Sequence, residues 1–252
     1  MDAVLEALNL GKTFKNRAGS EIRAVREVSF KLYPGETLGI VGSSGCGKST
    51  LARMLCRLIE PTEGKIILSG SNFSSLKGRE LREKYRDIQL VFQDPVSSFD
   101  PRRTLGDGIG EGLRSLGMTR EETSAEVRRL LSRCGLDESM AKRYPHEVSG
   151  GQCQRAAIAR AIAPKPKVLI CDEATSALDV TVQQRIMELL GSLKGENGLA
   201  IIFICHNLAL AQSFCDELLV MSAGSVVERG TPDDIIMHPK TEYTKMLIEA
   251  AI

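Results

Sequence analysis

"ETLGIVGSSGCGKSTLARMLCRLI", Glu36–Ile59, runs without a break from an apolar stretch through a glycine-rich turn into an amphipathic one. The first part reads as a buried strand and the last as a helix that ends before Pro61. Gly42, Gly47, Lys48 and Ser49 between them match G-x-x-x-x-G-K-[ST], in the strand-turn-helix setting that gives this spacing its chemistry. Glycines let backbone N–H groups turn inward around a β-phosphate, and the helix start adds its positive end. Lys48 reaches the β- and γ-phosphates and Ser49 ligates Mg²⁺. Gly42, Ser43, Ser44, Gly45, Cys46, Gly47, Lys48, Ser49 and Thr50 together form the candidate phosphate cradle. Cys46 reads as a tolerated small residue there, not as a nucleophile.

The segments around this stretch alternate between strand and helix. Val4–Phe14 and Ile22–Leu32 suggest an initial antiparallel hairpin, followed after the helix by strands "GKIILSG" and "DIQLVFQ". From Thr104 to about Arg143 the apolar period becomes helical, with Leu113, Leu116, Val127, Leu130 and Leu131 among many charges. This is expected to be an inserted helical subdomain, about 104–162, within a single domain spanning 1–252. "KVLICDE", helix Val182–Leu193, "GLAIIFICH", "DELLVMSAG" and "SVVERG" follow, and the continuous apolar runs "VLIC" and "AIIFIC" suit strands covered on both faces. The expected fold is α/β: a mostly parallel sheet flanked by helices, an N-terminal antiparallel β subdomain and an α-helical insertion.

Several polar residues stand where such a sheet presents its ligand-binding edge. Asp172 and Glu173 end the strand "KVLICDE"; adjacent residues there point in different directions and can take different tasks. Asp172 would hold Mg²⁺ through water, and Glu173 would orient or deprotonate an attacking water. His206 closes "AIIFICH" at the same edge, placed to contact a γ-phosphate, although a lone histidine is more often merely packed or solvated. Gln93 ends "LVFQ" and could coordinate Mg²⁺ or the water; the plainer reading is a turn residue before Pro95.

"YPHEVSGGQCQRAAIARAI", Tyr144–Ile162, opens a helix with two glycines. Ser149 and Gln152 fit the S-x-x-Q capping box, which leaves Gly150 and Gly151 unexplained, each costing ~1 kcal/mol relative to alanine inside a helix. A first turn without Cβ atoms lets an anion approach closely.

Composition limits the partners. Lys+Arg number 33 and Asp+Glu 32, a formal charge of +1, so there is no basic footprint for nucleic acid. The seven cysteines have no framework spacing and suit a reducing compartment. No signal peptide is expected from a start carrying Asp2 and Glu6. The longest apolar run, Leu199–Cys205, is far short of the ~20 residues of a membrane span.

Phosphate loop, Gln93, "SGGQ", "ICDEATSALD" and His206 together resemble the ATP-binding-cassette (ABC) ATPases in order and spacing over nearly the whole chain. The resemblance implies that Ser149, Gly150, Gly151 and Gln152 form the signature motif. In that family it binds the γ-phosphate held by the opposite subunit of a head-to-tail dimer, giving two composite ATP sites. It also implies that Ser176–Asp179 is the D-loop and that Phe14 stacks on adenine, although Phe14 would be equally at home as a buried strand residue.

"VFQDPVSSFDPRRT", "RYPHEVSGGQ" and the tail "ERGTPDDIIMHPKTEYTKMLIEA" are similar to the ATPase subunits of peptide and nickel importers. That similarity implies a second ATPase subunit, a different chain or a second copy of this one, two transmembrane permease subunits, an extracytoplasmic solute-binding protein and attachment to the inner face of the membrane. Residues after Gln93 and the helical insertion would meet the permeases. Cys153, Val148 and Asn207 stand where the family often has Arg, Leu and Asp, and Asn207 bears on the hydrogen bonding of His206. The lack of a cysteine-containing tail extension inclines the expectation towards the nickel or metal-complex branch. The competing class is a non-transport ABC ATPase of DNA repair or translation, whose usual coiled-coil or tandem insertions are lacking here.

Overall fold

Residues of the central strands divide alternately between two cores. Val168 and Ile170 face one core while Leu169 and Cys171 face the other; Ile202 and Ile204 oppose Ile201 and Phe203 in the same way. This period-2 division is what strands covered on both faces require. The computed structural model describes residues 2–15, 19–175 and 179–250.

The elements run β1 (Leu5–Lys15), β2 (Glu21–Leu32), β3 (Thr37–Val41), α1 (Lys48–Leu55), β4 (Glu63–Leu68), β5 (Ser71–Asn72), α2 (Gly78–Tyr85) and β6 (Ile88–Val91). Then come α3 (Leu105–Ser115), α4 (Arg120–Arg133), α5 (Gly150–Ile162), β7 (Val168–Asp172), α6 (Val180–Asn197) and β8 (Ala200–Ile204). The chain continues with α7 (Leu208–Phe214), β9 (Glu217–Ser222), β10 (Ser225–Gly230), α8 (Pro232–Met237) and α9 (Glu242–Glu249).

One sheet is antiparallel, in the order β2-β1-β4-β5; the other is six-stranded, in the order β10-β9-β3-β8-β7-β6. In the second, all neighbours are parallel except the edge strand β10, which pairs antiparallel with β9. Helix α1 buries Leu51, Ala52, Met54 and Leu55 in the core shared by the two sheets. Helices α3, α4 and α5 pack on one another and, with α6 and α7, supply the core on the other face. The architecture is thus α/β, with an antiparallel β layer beside a mostly parallel sheet.

Helix α1 ends four residues short of the expected Ile59. Arg57 adopts φ +51°, and the Leu58 N–H returns to the Arg53 carbonyl at 2.8 Å, which closes the helix in a left-handed cap. A glycine normally takes that position. Here the Arg57 guanidinium compensates by donating to the carbonyls of Phe73 and Leu76, both at 2.8 Å. Because β3, β6, β7 and β8 are parallel, their following loops all emerge at one sheet edge. That edge collects residues 42–47, 92–94, 173–175 and 205–207.

Candidate nucleotide site

The phosphate loop is held down by close backbone contacts. Gly42 has φ +152°, and a Cβ there would strike the Met221 carbonyl and sit 2.9 Å from Cys46 Sγ. Gly47 has φ +110°, with its missing Cβ aimed at the Ala24 carbonyl. Side chains at either position would push the loop off β9 and β2. Lys48, 4 % exposed, curls back so that Nζ donates to the carbonyls of Gly42 at 2.8 Å and Ser43 at 3.0 Å. The same ammonium lies 4.0 Å from Glu173 Oε1. Cys46 is buried, with Sγ 3.9 Å from Lys48 Nζ.

Ser49, in the first turn of α1, donates its hydroxyl to Asp172 Oδ1 at 3.0 Å. Burial pushes the Asp172 carboxyl up from the ordinary aspartate range; the Ser49 hydrogen bond and the charges of Arg53 and Lys48 pull it back only in part. Glu173 has left the strand: its φ is +48°, uncommon for a residue with a side chain, and its N–H donates to the Ile204 carbonyl at 3.0 Å. The two adjacent acids therefore diverge. Asp172 faces Ser49, whereas Glu173 Oε2 accepts from Gln93 Nε2 at 2.7 Å.

A cavity of about 310 Å³ is lined by Ser44, Gly45, Gly47, Lys48, Ser49, Thr50, Gln93, Glu173 and, from β2, Ala24. A second, of about 490 Å³, brings Ser49, Asp172 and Gln93 together with Arg53, Phe92, Asp94, Ser97 and Ser98. Ala24 and Arg53 carry no motif in the sequence, and only the folded chain brings them to the site.

The other expected residues are distributed less simply. Gln93 and His206 lie beyond the ends of their strands, because β6 stops at Val91 and β8 at Ile204. His206 is exposed and shares a cavity of about 130 Å³ with Glu173, Thr175, Gln183, Cys205, Asn207 and Leu210. Asn207 caps α7 by accepting from the Leu210 N–H at 3.1 Å. Phe14 is 38 % exposed near the end of β1, with Lys12 Nζ 5.2 Å from its ring centroid; it is neither a core residue nor part of the phosphate-loop cavity. Ser176, Ala177 and Leu178 lie outside the described residues; Asp179 caps α6 by accepting from the Val182 N–H at 2.9 Å.

The capping box of α5 is formed: Ser149 Oγ accepts from the Gln152 N–H at 3.3 Å and Gln152 Oε1 from the Ser149 N–H at 2.9 Å. Its two glycines differ. A Cβ on Gly150 would meet nothing within 4 Å, whereas one on Gly151 would come within 2.6 Å of Val182 Cγ1. Gly151 therefore has a packing reason inside this chain, and Gly150 alone presents open space. Cys153 is wholly buried in the core beneath α5, its thiol pushed up to about 11 by burial. None of Ser149, Gly150, Gly151 or Gln152 lines the phosphate-loop cavity.

The ABC transporter family model matches residues 25–176. The chain belongs to the ABC transporter family of ATPases. It is 42 % identical to the oligopeptide transport ATP-binding protein OppF of Haemophilus influenzae, over 99 % of this chain and 78 % of that protein. Similarity to the glutathione import ATP-binding protein GsiA of Pectobacterium atrosepticum is 45 % identity over 99 % of this chain and 41 % of the relative. Among solved structures, the dimeric post-hydrolysis state of the ATP-binding cassette MJ0796 with ADP and Pi superposes with a TM-score of 0.82 at 31 % identity, covering 90 % of this chain and 98 % of that one. As an ABC ATPase this chain binds and hydrolyses ATP. Among the described residues, no helix is long and apolar enough to cross a membrane.

Proposed function

We propose that this ABC ATPase is the energising subunit of an importer for peptide-class solutes, acting in a head-to-tail dimer beneath two separate permease subunits on the inner face of the membrane. The observation that carries the composite-site reading is the division of the machinery. Lys48, Ser49, Gln93 and Glu173 line one cavity, while the glycine-opened start of α5 lies outside it and leaves Gly150 facing open space. Ser149, Gly150, Gly151 and Gln152 would then serve the nucleotide held by a second ATPase subunit.

In this reading Lys48 leaves the carbonyls of Gly42 and Ser43 for the β- and γ-phosphates. Glu173 orients or deprotonates the attacking water, and His206 contacts the γ-phosphate. A second helix N-terminus closing over the site excludes water and strengthens every charge interaction there. The donor set fits Mg²⁺: Ser49 Oγ and the Asp172 carboxylate converge to 3.0 Å, and Gln93 brings an amide oxygen, all hard ligands. The ion, held by Ser49, Gln93 and Asp172, would neutralise charge shared between the β- and γ-phosphates. Phe14, exposed on β1, would offer its ring to adenine.

The names of the relatives favour a peptide-class cargo over nickel or another metal complex. Support for attachment to permeases comes from the cavity bordered by Asp94, Ser97 and Ser98, whose loop lies between Gln93 and the α3–α5 helices. An extracytoplasmic binding protein would deliver the solute to those permeases. The test is co-purification from membranes with the permeases, followed by ATP-driven uptake of a labelled peptide into vesicles. Uptake that continues unchanged with Glu173→Gln, or a chain that never co-purifies with a permease, would sink the proposal.

A further inference from the structure

The C-terminal helix reaches the phosphate loop directly. The Ser43 N–H donates to Tyr243 Oη at 2.9 Å, and that hydroxyl donates in turn to Ser43 Oγ at 2.9 Å. Ser43 is therefore held at both its main chain and its side chain by one phenol from α9, 200 positions along the chain. Its carbonyl is one of the two that hold Lys48 Nζ, at 3.0 Å. The phenol, Ser43 and the phosphate-binding lysine form a single connected chain of contacts.

The phenol is itself well placed to act as a fixed point. Tyr243, Leu247 and Ile248 pack against the core beneath α5 to α7. The turn leading into α9 is pinned to β10 through Glu228, which is 7 % exposed and accepts from the N–H groups of Lys240 at 2.8 Å and Thr241 at 3.1 Å and from Thr241 Oγ1 at 3.1 Å. Opposite this anchored helix, the loop is held by close backbone contacts at Gly42 and Gly47, but Ser43 and Ser44 between them are followed by Gly45, at φ +79°, where a Cβ would meet nothing within 4 Å. Glycine-flanked backbone loses more entropy on ordering than any other, and a ligand that must order its own site binds more weakly.

We propose that Tyr243 is a positioning residue for the phosphate loop, its hydroxyl fixing the Ser43 peptide so that this part of the loop is ordered before ATP arrives. The inference rests on this loop being the ATP site, which binding of a fluorescent mant-ATP with Mg²⁺ to the unaltered full chain tests separately.

Tyr243→Phe keeps the ring packing and removes the hydroxyl. Its dissociation constant for mant-ATP is expected to rise about three- to tenfold, the scale of one or two net hydrogen bonds. The KM for ATP should rise in parallel, with kcat within about twofold of the unaltered chain; loss of uniform binding has this signature, and general loss of active protein does not. An unchanged or lower dissociation constant, or a fall in kcat at constant KM, would overturn the proposal. If Tyr243→Phe does not fold, amide exchange by NMR on the unaltered chain still decides: the Ser43 amide should be protected, and exchange as fast as that of an open loop would overturn it.

Discussion

Gln93 and Glu173 are joined by a 2.7 Å hydrogen bond from the amide nitrogen of one to Oε2 of the other, although 80 positions separate them in the chain. The loop that follows β6 and the acid that follows β7 thus share one polar contact. Anything that shifts residues 94–98 moves the partner of Glu173. Binding at one face of this loop can therefore reach Glu173 without a long pathway.

Glu173→Gln should lower ATP turnover at least about a hundredfold, the lower bound for losing a general acid–base group. The amide has the same shape, keeps the left-handed backbone no worse off, and leaves Lys48 and Ser49 in place. ATP affinity is expected to persist, with a longer-lived dimer by size-exclusion chromatography in ATP. Turnover close to the unaltered rate would remove Glu173 from its assigned role.

The two glycines of α5 should separate on substitution. Gly151→Ala places a Cβ 2.6 Å from Val182 Cγ1 and is expected to cost about 1–3 kcal/mol of stability, recovered in part by Val182→Ala. The Cβ of Gly150→Asp meets nothing within 4 Å in its own chain, so its fold and single-chain nucleotide binding should stay intact while dimer-dependent hydrolysis is lost. Thermal melts and mant-ATP titrations distinguish the two. Loss of nucleotide binding by the isolated Gly150→Asp chain would mean that α5 acts on its own phosphate loop.

The parts of this site legible in the sequence are those encoded by short spacing. Phosphate loop, acidic strand end and capping box each occupy a few consecutive residues, and the strand pattern fixes which sheet edge they share. What stayed hidden depends on pairs brought together by the fold: Tyr243 on Ser43, Val182 beneath Gly151, Gln93 on Glu173. Arg57 shows the same limit for secondary structure, since its left-handed cap is supported by the carbonyls of Phe73 and Leu76 and leaves no local glycine signal. Phe14 is an aromatic in β1, yet it is exposed near the end of that strand, which its apolar character alone could not tell from a core position.

Asp172→Asn should separate stability from activity. The folded carboxyl sits above the ordinary value of 3.8, chiefly through burial, so the native state holds its proton to higher pH than the unfolded chain does. Its contribution is therefore fully favourable below that value and is lost as pH rises through the raised one. The neutral amide removes this slope while still accepting from Ser49. In the absence of nucleotide the variant is expected to melt higher than the unaltered chain at neutral pH and to differ less in acid. Mg²⁺ affinity in the presence of ATP should fall about 10–100-fold, as for loss of a group that orients metal-bound water. A variant that melts lower at neutral pH would contradict the sign.

Arg160 ties α5 to the loop beyond Gln93. Its guanidinium donates to Ser98 O at 2.5 Å and to Ser98 Oγ at 2.9 Å, and it lies 4.2 Å from the centroid of the Phe99 ring. Burial lowers its pKa, and the charge of Glu111 offsets this only in part. Lysine can keep the charge but neither the fork nor the flat face that stacks on Phe99. Arg160→Lys should therefore cost about 1–3 kcal/mol, measured by urea denaturation. A double-mutant cycle with Ser98→Ala should recover about 1 kcal/mol of coupling. Because Arg160 does not line the phosphate-loop cavity, basal hydrolysis by the isolated chain should change no more than about twofold, while stimulation by permeases should drop. Equal loss of basal and stimulated rates would show that the contact serves the nucleotide site itself and does not join α5 to the loop.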